Sequence, residues 1–249
     1  MEYLKALNRS QLEAATTTEG YIRVVAGAGS GKTKTLTARY MYLVEMLGIS
    51  TANILCVTFT NKAAAEMKKR IRKQLPDQDL GRITTFHGFC VGFLKEDCHV
   101  VRYPTNFIVL DEEDKESILR TVFEDLKITA RDMTIKEAID HIGWRKGGGG
   151  YVKTLIGDPE KLYNLSEEAT TLKDKVMYRY FYEQRKCYGL DFDDLVYFTL
   201  YILEHDSATR EKWQQRLEYI MVDEFQDIDK DQYALADILS GYHKNLFVV

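Results

Sequence analysis

The sequence is poor in the features that mark secreted, membrane-spanning or metal-ribbon proteins. It has 4 cysteines, Cys56, Cys90, Cys98 and Cys187, and no two of them form a C-x-x-C pair. That spacing argues against a disulfide framework and against a ribbon-type zinc site. His87 and His99 lie close to Cys90 and Cys98 in sequence, but ordinary residues of a reducing compartment are the simpler reading. Long apolar runs are missing too: residues 195–203, interrupted by Thr199, fall far short of the roughly 20 a membrane span needs. No basic-then-apolar leader lies within residues 1–15, so a cytoplasmic protein with no membrane attachment is expected.

What is present is the composition of a globular chain. Of its 249 residues 45% are hydrophobic and 29% charged, which makes disorder improbable and allows one large domain or two modest ones. The formal net charge of −4 conceals a local imbalance. Six positive residues (Lys62, Lys68, Lys69, Arg70, Arg72, Lys73) face Glu66 alone within residues 61–75, whereas residues 203–237 carry ten acidic side chains against four basic ones. A basic helix face of this kind suits either a phosphate backbone or plain solvent.

The most informative run is Val24-Val25-Ala26-Gly27-Ala28-Gly29-Ser30-Gly31-Lys32-Thr33. An apolar strand over residues 22–26 enters a small-residue turn that ends in Gly-Lys-Thr. Leu36, Tyr40, Leu43, Val44 and Leu47 then recur at helical spacing, with Gly48 placed as a stop. A phosphate chain needs inward-pointing backbone N–H groups, a lysine for its terminal phosphates and a hydroxyl for Mg²⁺, and this run supplies each. Ala26 stands where the strict pattern has glycine; alanine is tolerated there provided φ is negative.

Further short apolar runs at residues 54–58, 82–85, 219–222 and 246–249 predict buried parallel strands, and Ala64, Met67, Ile71 and Leu75 predict a helix over residues 61–75. The fold class expected is α/β: a doubly wound parallel sheet with an inserted all-helical subdomain. Residues 1–90 and 189–249 would form the sheet domain that carries the nucleotide loop, and residues 91–188 the insertion. Within it, Asp111 is a candidate cap, residues 115–126, 135–142 and 172–188 read as helices, and Gly147 to Gly150 as a flexible loop. The chain ends on a strand, so it is expected to be truncated.

Residues 219–222 are followed at once by Asp223 and Glu224. An aspartate at a strand's carboxyl tip can hold Mg²⁺ through water, and the adjacent glutamate can orient a water and accept its proton.

Asp223-Glu224-Phe225-Gln226-Asp227 completes a set with the Gly-Ser-Gly-Lys-Thr loop, the run from Val57 to Met67, Thr85-Phe86-His87-Gly88-Phe89-Cys90 and Leu7-Asn8-Arg9-Ser10-Gln11. In this order the motifs resemble those of the UvrD/Rep-like superfamily-1 DNA helicases. The resemblance implies that the α/β domain of residues 1–90 and 189–249 is a P-loop NTPase (RecA-like) ATP-binding motor domain with a doubly wound parallel sheet. Leu190-Asp191-Phe192-Asp193-Asp194-Leu195 also resembles that family's return from its helical insertion.

The resemblance implies ATP and Mg²⁺ as ligands, with Ala26, Gly27, Ala28, Gly29, Ser30, Gly31, Lys32, Thr33 and Lys34 around the phosphates and Thr33 and Asp223 at the metal. It implies that Gln11 reads the adenine edge, although Asn8-x-x-Gln11 is also a capping-box spacing. Arg70 would reach the γ-phosphate, Lys32 and Glu224 would serve catalysis, and Gln226 would couple the phosphate to the state of the DNA. Thr58, Phe59, Thr60, Asn61 and His87 would line a single-strand path.

Ile228 departs from the family, which usually has a small polar residue there. The Gly-Asp-x-x-Gln motif, the second motor domain and its arginine would lie beyond Val249. Such an arginine is worth on the order of 10³ to 10⁵ in rate, so the fragment is expected to bind ATP and barely hydrolyse it. The activity implied is 3′-to-5′ ATP-dependent DNA unwinding in repair or replication, on single strands and duplex junctions, in concert with the missing C-terminal motor domain of the same chain. The helicase portion of a helicase–nuclease subunit and a non-enzymatic nucleotide switch are the alternatives.

Overall fold

The computed structural model describes residues 2–27, 29–76 and 79–249. Its backbone divides into two compact units, Met1–Phe89 with Asp206–Val249, and Cys90–His205. The described strands are β1 (Tyr21–Arg23), β2 (Ile54–Val57), β3 (Arg82–Thr84), β4 (Ile108–Val109), β5 (Gly189–Leu190), β6 (Tyr219–Val222) and β7 (Leu246–Val248). No described helix is long and apolar enough to cross a membrane.

The first unit holds a five-stranded sheet, β1-β7-β6-β2-β3, in which every pairing is parallel. All residues of β2, β6 and β7 are buried, which is why these strands read as continuous apolar runs and not as alternating ones. β1 is an edge strand with Tyr21 and Arg23 exposed, and it ends at Arg23, short of the predicted residue 26. Val24 N–H still donates to Val248 O (2.9 Å), after which the chain turns away into the loop. Leu36, Tyr40 and Leu43 of the helix Lys32–Glu45, and Ala64, Met67 and Ile71 of the helix Asn61–Arg72, pack with Ile54, Cys56, Met221 and Phe247 into one core. The predicted helical periodicities are the faces buried there, except at Leu47, which lies past the helix end at Glu45 and is exposed.

The second unit is helical, with the helices Glu112–Asp125, Ile135–Lys146, Pro159–Glu168, Leu172–Lys186 and Phe192–His205 among its elements. Asp111 caps the first of these, as expected, in a reciprocal box with Asp114, and Thr134 with Glu137 does the same for the second. The two-residue β4–β5 ladder and the helices Val152–Leu155, Pro159–Glu168 and Phe192–His205 lie outside the predicted elements. Gly147–Gly150 forms a turn in which Gly148 and Gly149 take φ of 82° and 72°, a conformation that explains the glycines. The compact helical unit runs from Cys90 to His205.

Beside that turn lies a buried ionic cluster. Lys146 Nζ donates to Asp191 Oδ2 and Asp194 Oδ1, both at 2.7 Å, and the three side chains are no more than 4% exposed. Tyr151 Oη also donates to Asp194 Oδ1. Gln184 Nε2 donates to Asp194 Oδ2 at 2.5 Å.

Candidate nucleotide site and the groove beside it

Parallel strands place all their carboxyl ends along one border of the sheet, and the register here aligns them closely. Arg23 pairs with Val248, Val248 with Val222, Val222 with Val57 and Val57 with Thr84. The next residue on each strand therefore falls into one row: Val24, Val249, Asp223, Thr58 and Thr85. Backbone bonds hold it, from Val249 N–H to Val222 O (3.1 Å), Asp223 N–H to Val57 O (2.9 Å) and Thr58 N–H to Thr84 O (2.9 Å). Ligands of open α/β sheets bind along such a border.

At one end of the row the loop after β1 turns into the helix Lys32–Glu45. Ser30 closes it, its N–H and hydroxyl donating to Gly27 O at 3.3 and 2.7 Å. Gly29 and Gly31 have φ of 74° and 90°, and a Cβ on Gly31 would lie 2.7 Å from Gln11 Nε2. Ala26 has no positive φ, so its methyl group is accommodated without strain. Ala28 lies outside the described residues. Lys32 and Thr33 open the helix, where unbonded N–H groups and the helix dipole favour an anion.

Two strands away, Asp223 is 4% exposed, and Glu224 N–H donates to its Oδ1 at 3.1 Å. Glu224 adopts φ 51°, a left-handed conformation costly for a residue with a Cβ. That backbone turns its carboxylate toward the loop: Lys32 Nζ donates to Oε2 at 2.8 Å, and Gln226 Nε2 donates to the same oxygen at 2.6 Å. These bonds, Lys32 first, hold the Glu224 carboxyl below its ordinary range, and the bond to Glu224 raises Lys32. Asp223 moves the other way, pushed up by burial and then by the neighbouring Glu224 charge. Lys32 and Gln226 thus share one oxygen of Glu224.

Gln11 sits on the helix Arg9–Thr16, and both of its predicted uses bear on its geometry. The capping box exists: Gln11 N–H donates to Asn8 Oδ1 at 2.9 Å and Asn8 N–H to Gln11 Oε1 at 3.1 Å. In addition Gln11 Nε2 donates to Ser30 O at 2.8 Å, joining the amide to the phosphate loop. One amide hydrogen and one oxygen lone pair remain, and the internal bonds fix which end is donor and which acceptor. A donor beside an acceptor matches adenine N7 and N6.

Residues 7–249 match the UvrD/REP helicase N-terminal domain. The chain belongs to that family. It is 35% identical over 251 residues to the ATP-dependent DNA helicase PcrA of Staphylococcus aureus, covering 99% of this chain and 33% of the relative. Against the PcrA of Staphylococcus epidermidis the identity is 35% over 248 residues, with the same coverage. The chain thus spans about a third of the length of the curated relatives it matches.

The family's expected DNA-side residues lie at the other end of the row, around an open groove of about 700 Å³ lined by Thr58, Phe59, Thr85, His87, Asp227 and Gln232. Phe59 is 58% exposed, so it is not a core residue. Thr58 is buried and its hydroxyl donates to Thr60 O (3.1 Å); Thr60 in turn caps the helix Asn61–Arg72 by accepting from Ala63 N–H. Asn61, the first residue of that helix, is exposed. Of the remaining expected phosphate-side residues, Lys34 Nζ donates to Ala6 O at 2.5 Å, and Arg70, half exposed, lies 4.0 Å from Glu66.

One participant escaped the sequence reading. Arg39 is 1% exposed, and its guanidinium donates to Ala14 O (3.2 Å), Thr17 O and Thr18 O (2.8 Å) while stacking 4.5 Å from the centre of the Phe247 ring. Burial lowers its pKa to about 10, so it stays charged at neutral pH.

Proposed function

We propose that this chain is the nucleotide-binding motor unit of an ATP-dependent DNA helicase. The observation that carries the reading is the convergence of Lys32 and Gln226 on one carboxylate oxygen of Glu224 beside a helix N-terminus, with Asp223 in the row of strand ends. ATP fits this arrangement by its parts. Lys32 and the N–H groups at the start of the helix Lys32–Glu45 suit the β- and γ-phosphates, and the free half of the Gln11 amide suits adenine.

Mg²⁺ fits by its chemistry. It takes few protein oxygens beside phosphate and water, and Thr33 with the buried Asp223 supplies that number. Bound there it would neutralise phosphate charge. Glu224, released from Lys32 once a phosphate competes for the ammonium, holds a water and takes its proton. Gln226 donates to Glu224 and to Asp227 Oδ2 (3.1 Å), and so links the base to the groove lined by Asp227 and Phe59. Single-stranded DNA is the partner that this groove serves, through stacking on Phe59. Unwinding, its 3′-to-5′ direction and the use of a second motor domain with an arginine for the transferring phosphoryl group belong to the same proposal, drawn from the family resemblance.

Titration of the chain with Mg-ATP tests the reading. Lys32→Ala is expected to weaken binding at least tenfold, roughly the loss of one charge-assisted contact. Unchanged affinity would remove the phosphate loop assignment.

A further inference from the structure

The helix that presents Gln11 is short, eight residues from Arg9 to Thr16, and a helix of that length has little stability of its own. It is held at both ends by the phosphate loop and the helix that follows it. At its start Gln11 bonds Ser30 O, and Lys34 bonds Ala6 O just upstream. At its end the Arg39 guanidinium gathers three carbonyls, those of Ala14, Thr17 and Thr18. Carbonyls at a helix C-terminus lack intrahelical partners and carry the negative end of the dipole, so a buried cation is their complement. Arg39 lies seven residues after Lys32, about 10 Å along the helix axis, and the two helices therefore run side by side in the same sense.

The anchor is rigid on its other face. Phe247 of β7 stacks against the guanidinium. Just past the clamped carbonyls, Glu19 accepts from Tyr219 Oη of β6 (2.7 Å) and Gly20 N–H donates to Asn245 Oδ1 (2.9 Å). The position of Gln11 relative to the loop is thus set from the sheet, through Arg39.

We infer that Arg39 is a positioning residue for nucleobase selectivity: it fixes the register of the helix Arg9–Thr16 so that the Gln11 amide faces the base edge, without touching nucleotide itself. The inference rests on the proposed reading of Gln11 as the adenine contact. A merely structural arginine would affect all ligands of the loop alike. A positioning one affects the base and spares the phosphates.

The test uses calorimetric titration with ATP, ITP and inorganic tripolyphosphate, each with Mg²⁺. In the parent chain ATP is expected to bind about tenfold or more tighter than ITP, since a bidentate amide contact to adenine discriminates by about 1–3 kcal/mol. Arg39→Gln is expected to cut that ratio to below about threefold, with tripolyphosphate affinity changed less than about twofold. Arg39→Lys keeps the charge and part of the donor set, guards against a variant that does not fold, and should give an intermediate ratio. A folded Arg39 variant that keeps the full ATP-over-ITP preference overturns the inference, as does a loss of tripolyphosphate binding as large as that of ATP. Gln11→Ala separates the premise: if it keeps the preference, the adenine reading of Gln11 fails, and the role of Arg39 with it.

Discussion

Lys32 and Glu224 neutralise one another across 192 positions of sequence, Nζ to Oε2 at 2.8 Å. In the function proposed above, the pair joins the lysine that would hold phosphate to the glutamate that would activate water, so each would be withheld from its task until a ligand phosphate competes for the ammonium. The pair lies within one unit, between the first residue of the helix after the β1 loop and the residue that follows Asp223 at the carboxyl end of β6.

Removing the competitor should strengthen nucleotide binding. Glu224→Gln keeps the shape but removes the charge that holds Lys32, a partly exposed pair of modest worth. Mg-ATP affinity of the chain is expected to rise about two- to fivefold on titration, while turnover in the full-length protein collapses. Weaker binding by the variant would make Glu224 a structural or metal-holding residue.

The same pair sets a pH dependence. Lys32 and then Gln226 lower the Glu224 pKa, so the native state favours the ionised carboxylate more than the unfolded chain does. The pair's contribution is full above the ordinary carboxylate range and fades as pH falls through the lower native value. Carbon-detected titration should find Glu224 ionising below an ordinary glutamate, and in Lys32→Ala its midpoint should move up. An identical midpoint in both proteins would mean that the pair does not persist in solution.

The buried cluster of the helical unit predicts a large stability effect. Lys146 is the cation that both Asp191 and Asp194 contact, and breaking such a pair from one side typically costs 3–5 kcal/mol. Lys146→Ala should lower the unfolding free energy of that unit by about this amount in urea, with the nucleotide site of the other unit still titratable. A loss under about 1 kcal/mol would mean that the two carboxylates find protons or water at little cost.

Much of this was legible in the sequence, for physical reasons that differ by element. β2 and β6 are buried on both faces and so spell themselves out as apolar runs, and the carboxyl tip of β6 carries Asp223 and Glu224 where a strand must end. The predicted strand of residues 22–26 is longer than β1, because after the Val24 bond to Val248 the apolar Val25 and Ala26 leave the sheet; Val25 is 85% exposed. The β4–β5 ladder is two residues long and leaves no periodic trace. Asp191 and Asp194 were noticed only as a family pattern, since their partner Lys146 stands 45 and 48 positions away. Arg39 had no local signal at all: a charged residue within a helix reads as solvated, and only the tertiary packing of a second helix end and Phe247 makes it an anchor.

Phe59 offers the sharpest separation of fold from function on the groove side. Its ring is 58% exposed, so truncation forms no cavity and Phe59→Ala should shift stability by no more than about 0.5 kcal/mol. Stacking of a base on an aromatic ring is worth about 1–3 kcal/mol, whatever the sequence. Asp227 and Asp229 line the same groove and repel phosphate, so affinity there must lean on stacking, and the charge contribution must come from basic residues outside it. Oligonucleotide binding by Phe59→Ala should therefore weaken about fivefold or more at every salt concentration, leaving the slope of affinity against salt unchanged. A folded Phe59→Ala that binds single strands as well as the parent, or that loses affinity only by flattening the salt slope, would remove the ring from the DNA path.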